Sequence, residues 1–365
     1  MPTAPDLAPY DALLVVSFGG PEKLDDVLPF LANVTSGRGI PEERLAEVAE
    51  HYYAVGGRSP INDQCRAFIQ AVGHDLDAHG LGLPIYWGNR NWDPYLTETL
   101  QKMTADGVRR AAVFVTSAYA SYSGCRQYRE NLYDAVSVCQ DAPPRLDKLR
   151  HYFNHPGFVA AFSDTVSSAL DGLPAGTGDT ARLLFVTHSI PLGMAASAGP
   201  GGDAYVRQHS SVAGLLAAEL DRRRGGRHEW DLVYCSRSGP PSVPWLEPDV
   251  NDHLETLAGA GVDAVVVVPI GFVSDHMEVV HDLDTEAAAT ADRLGIAFAR
   301  AGTPGTHPAF VAAVRDLLVE RAAVESGQAV ERAALGGLGA AWDLCAATCC
   351  PNLRGTRPAL CEAPA

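Results

Sequence analysis

The amino-acid sequence predicts an α/β protein in which two parallel sheets, one in each half of the chain, are covered by helices. Three observations carry that reading. Short apolar, β-branched runs recur, of which Ala264-Val-Val-Val-Val268 is the plainest, and such runs suit strands buried on both faces. Stretches of helical periodicity separate them, and strand–helix–strand alternation implies parallel pairing with right-handed crossovers. Finally, 365 residues are enough for two domains with their own cores, and the change falls near His155-Pro156.

In chain order, residues 12–17 read as the first strand, closed by the turn Phe18-Gly-Gly-Pro21. A helix is expected over 24–32 and another over 41–53, whose start carries Pro followed by Glu-Glu. Gly56-Gly-Arg-Ser-Pro60 breaks the chain, and strands follow at 85–88 and 111–116. In the second half, a Gly- and Pro-rich loop over 172–180 leads into strands at 183–187, 232–235, 264–268 and 296–299. The expected divisions are 1–155, 156–306, a terminal helix at 307–326 packing back on the body, and a tail from 327 to 365. That tail is Ala/Gly-rich and ends in cysteines, which reads as an appendage rather than core.

After Pro269-Ile-Gly271 the pattern turns helical, and Glu278, Asp282 and Glu286 recur every four residues along one face. Stacked like charges gain nothing unless a cation or solvent relieves them. Oxygen ligands at that spacing suit a divalent cation held loosely and passed on; a solvated acidic face is the plainer alternative.

Composition narrows the partners. A hydrophobic fraction of 47% and a mean hydropathy of −0.02 describe a globular chain. No apolar run reaches membrane-spanning length, and Met1-Pro-Thr-Ala-Pro-Asp6 lacks the basic start of a signal peptide, so the expectation is a cytoplasmic protein without an integral membrane segment. A formal charge of −16 argues against nucleic acid, while an anionic small molecule remains compatible with a few focused arginines. Eight cysteines are too sparse for a disulfide scaffold. Cys345, Cys349, Cys350 and Cys361 crowd the last twenty-one residues.

Ligands of parallel sheets sit beyond the carboxyl ends of the strands. That selects Ser17-Phe-Gly-Gly-Pro21, the loop Ser117 to Tyr128, Thr187-His188-Ser-Ile-Pro191, and the stretch around Glu278. His188 and Glu278 offer an imidazole and a carboxylate from opposing loops of one half, able to accept a proton or hold a metal; a capping or packing role for the histidine is the plainer reading. Several motifs are missing: the Lys-Ser/Thr of a phosphate loop after Gly199-Pro-Gly-Gly-Asp203, a three-glycine dinucleotide fingerprint, a Gly-x-Ser-x-Gly elbow and a Cys-x-x-Cys pair.

Ser17-Phe-Gly-Gly-Pro-Glu22, Tyr53-Ala-Val-Gly-Gly-Arg-Ser-Pro-Ile-Asn62, His188-Ser-Ile-Pro191, Gly202-Asp-Ala-Tyr205, Pro244-Trp-Leu-Glu-Pro248 and Gly271-Phe-Val-Ser-Asp-His-Met-Glu278 resemble the ferrochelatase family, in order and over about residues 10 to 325. The cysteine tail and Val34-Thr-Ser-Gly-Arg-Gly39 are similar to its actinobacterial branch, whose members metallate coproporphyrin III to coproheme. The resemblance implies two Rossmann-like domains, each a four-stranded parallel sheet flanked by helices, with the porphyrin in the cleft between them. It implies Fe²⁺ as substrate, His188 and Glu278 as iron ligands and proton acceptor, and Asp282 and Glu286 as a relay for iron or protons. Ser59 and Tyr128 match porphyrin-binding positions. Arg38 and Arg58 become partners for propionates, and surface arginines are the plainer alternative. Firmicute relatives carry a tyrosine where Phe18 stands, so Phe18 is expected to be an apolar ring contact rather than an iron ligand.

For the tail, some ferrochelatases carry a [2Fe–2S] cluster on one internal cysteine and three near the C-terminus. The corresponding expectation here is Cys125, Cys345, Cys350 and Cys361, with Cys349 spare, because adjacent cysteines seldom both bind one small cluster; a thiol-rich disordered tail is the alternative. A monomer that hands its product to a downstream heme-pathway enzyme is expected. Protoporphyrin IX as substrate, a cobalt or nickel chelatase of the same fold, and a non-catalytic heme or iron–sulfur sensor are the rival readings.

Overall fold

Two all-parallel four-stranded sheets organise the computed structural model, which describes residues 6–37, 39–139 and 141–362. The first contains β1 (Ala12–Ser17), β2 (Ile85–Asn89), β3 (Arg110–Val115) and β4 (Arg145–Lys148), in the order β2-β1-β3-β4. The second contains β5 (Arg182–His188), β6 (Trp230–Cys235), β7 (Ala264–Val268) and β8 (Ala297–Arg300), in the order β6-β5-β7-β8. The same order repeated gives each sheet one reversal point, between β1 and β3 and between β5 and β7. Crevices form at such points, outside the carboxyl ends of the strands. The four loops selected from the sequence are those following these four central strands.

β1 and β7 are buried at every residue, as near-continuous apolar strands in a helix-covered sheet should be. Strand β4 is the exception to the apolar rule. Its sequence is Arg-Leu-Asp-Lys, and its buried Asp147 is held by Arg110 Nε at 2.5 Å. The helix expected over 24–32 opens with a tight turn at Leu24–Asp26 and continues as Val27–Val34; the second runs Glu42–Tyr53.

The core does not stop between the sheets. The Pro308–Glu325 helix packs against both Ile61–Ala78 and Pro156–Asp171. Phe68, Phe114, Tyr152, Phe158 and Phe310 from both halves share one aromatic cluster there, with Phe68 stacked on Phe310 at 5.4 Å between centroids. Each fully buried phenyl contributes roughly 1.5–3 kcal/mol, so this helix fastens the halves together.

The segment from Gly327 differs from the expected appendage. It runs back across the body as a strap whose backbone satisfies buried side chains. Arg150 Nη2 donates to the Ala333 carbonyl at 2.9 Å, Asn154 Nδ2 to Leu335 and Gly339, Arg126 to Ala347 and Arg357, and Arg129 to Leu360. A buried cation without an acceptor is costly, so polar pairing holds this segment together with the packing of Leu335, Ala341, Trp342 and Leu360 on the cores. Among the described residues, no helix is long and apolar enough to cross a membrane.

Candidate functional site

His188 is the last residue of β5. Its Nδ1 lies against the Ser189 carbonyl, which can only accept, so Nδ1 carries the proton and Nε2 is left facing outward. Nε2 stands 3.6 Å from Glu278 Oε1, with both side chains still partly open to solvent. Glu278 lies in the first turn of the short helix Met277–His281, which is capped by His276 Nδ1 accepting the Glu278 N–H at 3.3 Å. Burial would raise the Glu278 carboxyl, but the imidazoles of His276 and His188 outweigh it and hold the group below the ordinary carboxylate range. Burial disfavours the charged His188 ring; the facing Glu278 carboxylate reverses this and moves its pKa up. The pair is an ionised carboxylate beside a basic imidazole.

The stripe that continues from Glu278 is not the regular one its four-residue spacing suggests. Residues Asp282–Ala287 form a π-helical turn, whose hydrogen bonds span five residues rather than four. Thr285 Oγ1 accordingly donates to the Val280 carbonyl, five residues back. The same turn places His281 Nε2 3.3 Å from Glu286 Oε1. One ligand atom each from His281, Asp282 and Glu286 lies within 4.8 Å of the others. An imidazole therefore joins the carboxylates, which the four-residue pattern did not show. Burial, reinforced by Glu278 and Glu286, pushes Asp282 up to about 7 despite a hydrogen bond from Ser236 Oγ.

The other half of the molecule closes over this edge. The His51 ring stacks on His281 at 3.8 Å, and Gln64 exchanges hydrogen bonds with Asp275 at 3.2 and 2.7 Å. Beyond β1, the Phe18 and Tyr128 rings stand 5.6 and 4.5 Å from the Arg90 guanidinium, and Arg90 Nε donates to Asn131 Oδ1 at 2.8 Å. Arg90 was not singled out from the sequence, although it directly follows the Asn89 end of β2, where the strand-end rule would have found it. Ser59 is buried against the glycine turn after β1: a Cβ on Gly20 would stand 2.7 Å from the Ser59 Cβ. Tyr128 is also buried, its ring beneath Arg90. Arg58 is exposed and paired with Asp63 through Nε at 3.1 Å. Arg38 lies outside the described residues.

A second group of donors sits under the strap. Cys125, in the π-turn Tyr122–Arg126, is buried together with Cys345, Cys349 and Cys350. Cys349 Sγ is 3.8 Å from Cys350 Sγ, Trp342 Nε1 donates to Cys345 Sγ at 3.3 Å, and the Gly199 N–H donates to Cys350 Sγ at 3.1 Å. Four buried thiols, two of them accepting N–H hydrogen bonds, form a donor set that suits a thiolate-ligated iron–sulfur group. The buried thiols differ from the expected ligand set in one place. Cys361 Sγ lies on β4, between the Lys148 N–H at 3.3 Å and the Leu146 carbonyl at 3.4 Å. Cys349 instead joins the group.

The ferrochelatase family model matches residues 10–322. A coproporphyrin III ferrochelatase of Streptomyces coelicolor is 59% identical, covering 98% of this chain and 98% of its own. One from Nocardia farcinica is 52% identical, covering 96% and 98%. A ferrochelatase of Rhodopirellula baltica is 49% identical, covering 97% and 98%. Among solved structures, SirB from Bacillus subtilis with Fe³⁺ superposes with a TM-score of 0.52 at 14% identity, covering 87% of this chain and 97% of its own. That likeness speaks for the fold.

Proposed function

The chain belongs to the ferrochelatase family, and from that premise we propose that it inserts Fe²⁺ into coproporphyrin III, giving coproheme, with His188 and Glu278 at the reacting centre. The observation that carries this reading is the 3.6 Å approach of His188 Nε2 to Glu278 Oε1 at the end of β5. Metal insertion exchanges two pyrrole N–H protons for one Fe²⁺. The ring must be bent to expose its nitrogens, the protons need an acceptor, and iron must arrive stripped of most of its water. An imidazole made more basic by the carboxylate it faces, and that ionised carboxylate, meet the second and third demands: one accepts a proton or binds iron, the other compensates its charge. Binding energy from the ring faces and propionates supplies the bend.

Asp282 and Glu286, joined by His281, are proposed to carry iron inward or protons outward. An Asp282 carboxyl near neutrality in pKa supports proton carriage, since it exchanges in either direction at little cost. Phe18, Ser59 and Tyr128 are proposed to bound the porphyrin, with Arg58 and Arg38 as propionate partners. The four-thiol group is proposed to hold a [2Fe–2S] cluster on Cys125, Cys345 and Cys350, with Cys349 as the fourth donor. When bound, such a cluster supplies one-electron redox chemistry and a cross-link between strap and body. A cytoplasmic monomer that passes its product to a downstream heme-pathway enzyme belongs to the same proposal.

Coproporphyrin is supported by the Streptomyces and Nocardia relatives, both coproporphyrin III ferrochelatases. The test compares coproporphyrin III and protoporphyrin IX as acceptors of Fe²⁺, followed by loss of free-porphyrin fluorescence under anaerobic conditions. Faster turnover of coproporphyrin is expected. Preference for protoporphyrin would overturn the substrate assignment and leave the metal-insertion chemistry standing.

A further inference from the structure

Two buried cations beside the thiol group have no place in the metal-insertion chemistry. Arg129, on the Gln127–Ser137 helix, has no exposed surface. Its Nε donates to the Leu360 carbonyl at 2.7 Å, but Nη1 and Nη2 have no hydrogen-bond partner. Glu362 Oε1 stands 3.6 Å from Nη2 and is already 2.8 Å from Arg126 Nη1. Lys148, at the end of β4, is 3% exposed, and its Nζ donates to the Leu149 carbonyl, a neutral acceptor. Glu130 is buried beside Arg126 at 3.4 Å. Arg357 also approaches Glu130, at 3.8 Å, and pairs with Asp134. Among the described ion pairs Arg126, Arg129, Lys148 and Arg357 thus stand against Glu130, Glu362 and Asp134, and one positive charge is left over. Buried charges are paired in folded proteins, and the leftover cation implies an anion nearby.

The strap brings the thiols to these cations. The Cys345 N–H donates to the Cys361 carbonyl at 3.2 Å, next to the Leu360 that Arg129 holds, and Cys361 Sγ accepts the Lys148 N–H at 3.3 Å. Arg129 stands four residues beyond Cys125, where the π-turn runs into the Gln127–Ser137 helix. A group held on thiolates there would supply the missing negative charge. His151, buried near both cations, is kept neutral by burial and by Lys148, its pKa pushed down to about 3, so it adds no competing charge.

We propose that Arg129 and Lys148 are the countercharge of the group bound by Cys125, Cys345, Cys349 and Cys350, and that they set its reduction potential. The inference rests on the [2Fe–2S] reading above. Two Fe³⁺, two sulfides and four thiolates sum to a charge of −2, and uptake of one electron makes it −3. A fixed cation stabilises the −3 state more than the −2 state. Removing one therefore lowers the midpoint potential, and loosens the cluster in both states.

The experiment uses the full chain purified without oxygen, with iron and acid-labile sulfide assayed and the visible bands followed in a redox titration against dithionite. Arg129→Met and Lys148→Met are each expected to shift the midpoint to more negative potential and to lose cluster iron faster. Lys148→Arg, which keeps the charge, is expected to restore the wild-type potential. Lys148→Met, on an edge strand, keeps the test open if Arg129→Met does not fold. A cluster present in wild type whose potential and iron retention are unmoved by Lys148→Met overturns the inference alone. Wild-type protein without iron and sulfide overturns the cluster reading, and the inference with it.

Discussion

Asp282→Asn separates the stability cost of the proposed relay from its use. The carboxyl is buried beside Glu278 and Glu286, and its pKa stands at about 7 against an ordinary value of 3.8. A folded-state pKa raised above the unfolded one means that the carboxyl favours folding least when ionised. The penalty is absent below pH 3.8, grows as pH rises, and is complete above 7. At pH 8 linkage over roughly three pKa units gives about 4 kcal/mol. Solvent at the cleft edge and coupling to two further carboxylates reduce this to about 2 kcal/mol. Asparagine keeps an acceptor for Ser236 Oγ and removes the charge. In metal-free protein the variant is therefore expected to melt about 3 °C higher than wild type at pH 8 and at the same temperature at pH 4, while metallation slows. Thermal melts by circular dichroism at the two pH values, with turnover measured on the same preparations, check this. An unchanged or lowered melting temperature at pH 8 would refute the reasoning, as would an equal rise at pH 4.

Acid sensitivity should come from a different set of residues. Burial pushes His151 and His209 down to about 3 and His155 to about 4; the stability they confer by staying neutral is full above the unfolded value of 6.5 and is lost as pH falls below it. At pH 5 each costs about 2 kcal/mol, a large share of a typical total. The urea midpoint is expected to drop steeply between pH 7 and 5, and less steeply in His209→Gln; equal slopes in both proteins would contradict this. Gly271→Ala addresses β5, the strand that carries His188. The added Cβ would stand 2.7 Å from the Thr187 Cβ and 2.9 Å from its Cα, so the backbone carrying His188 must shift. Metallation is expected to fall by about 100-fold, as misplacement of a reacting group by about 1 Å does, with a stability loss of only about 1–3 kcal/mol. Near-normal turnover would show that His188 tolerates displacement.

The central strands were legible because burial on both faces demands apolar runs, and β1 and β7 supply them with no interruption. β4 was not, since Arg-Leu-Asp-Lys carries its polar residues inward onto Arg110 and neighbouring charges, where no periodicity announces them. The acidic stripe was half legible. Spacing by four finds Glu278, Asp282 and Glu286, of which the last two stand together in the structure, but the π-turn depends on backbone hydrogen bonds that no side-chain pattern encodes, so His281 stayed hidden. The strap shows the same limit: its carbonyls answer arginines more than two hundred residues away in the chain, and composition alone reads it as loose. Cys349 is buried with Cys125, Cys345 and Cys350, whereas Cys361 Sγ hydrogen-bonds against β4; that grouping follows the path of the strap over the body, which cysteine spacing does not encode.

The central claim is that an imidazole and a carboxylate facing each other at the end of β5 carry out metal insertion. Single-turnover metallation of bound coproporphyrin III, triggered by Fe²⁺ and followed by porphyrin absorption, tests it in wild type, His188→Ala and Glu278→Gln. Both variants should still bind the porphyrin, and both should lose turnover by about 100-fold or more, the scale of a lost general base. Variants that metallate at the wild-type rate would place the chemistry elsewhere in the cleft.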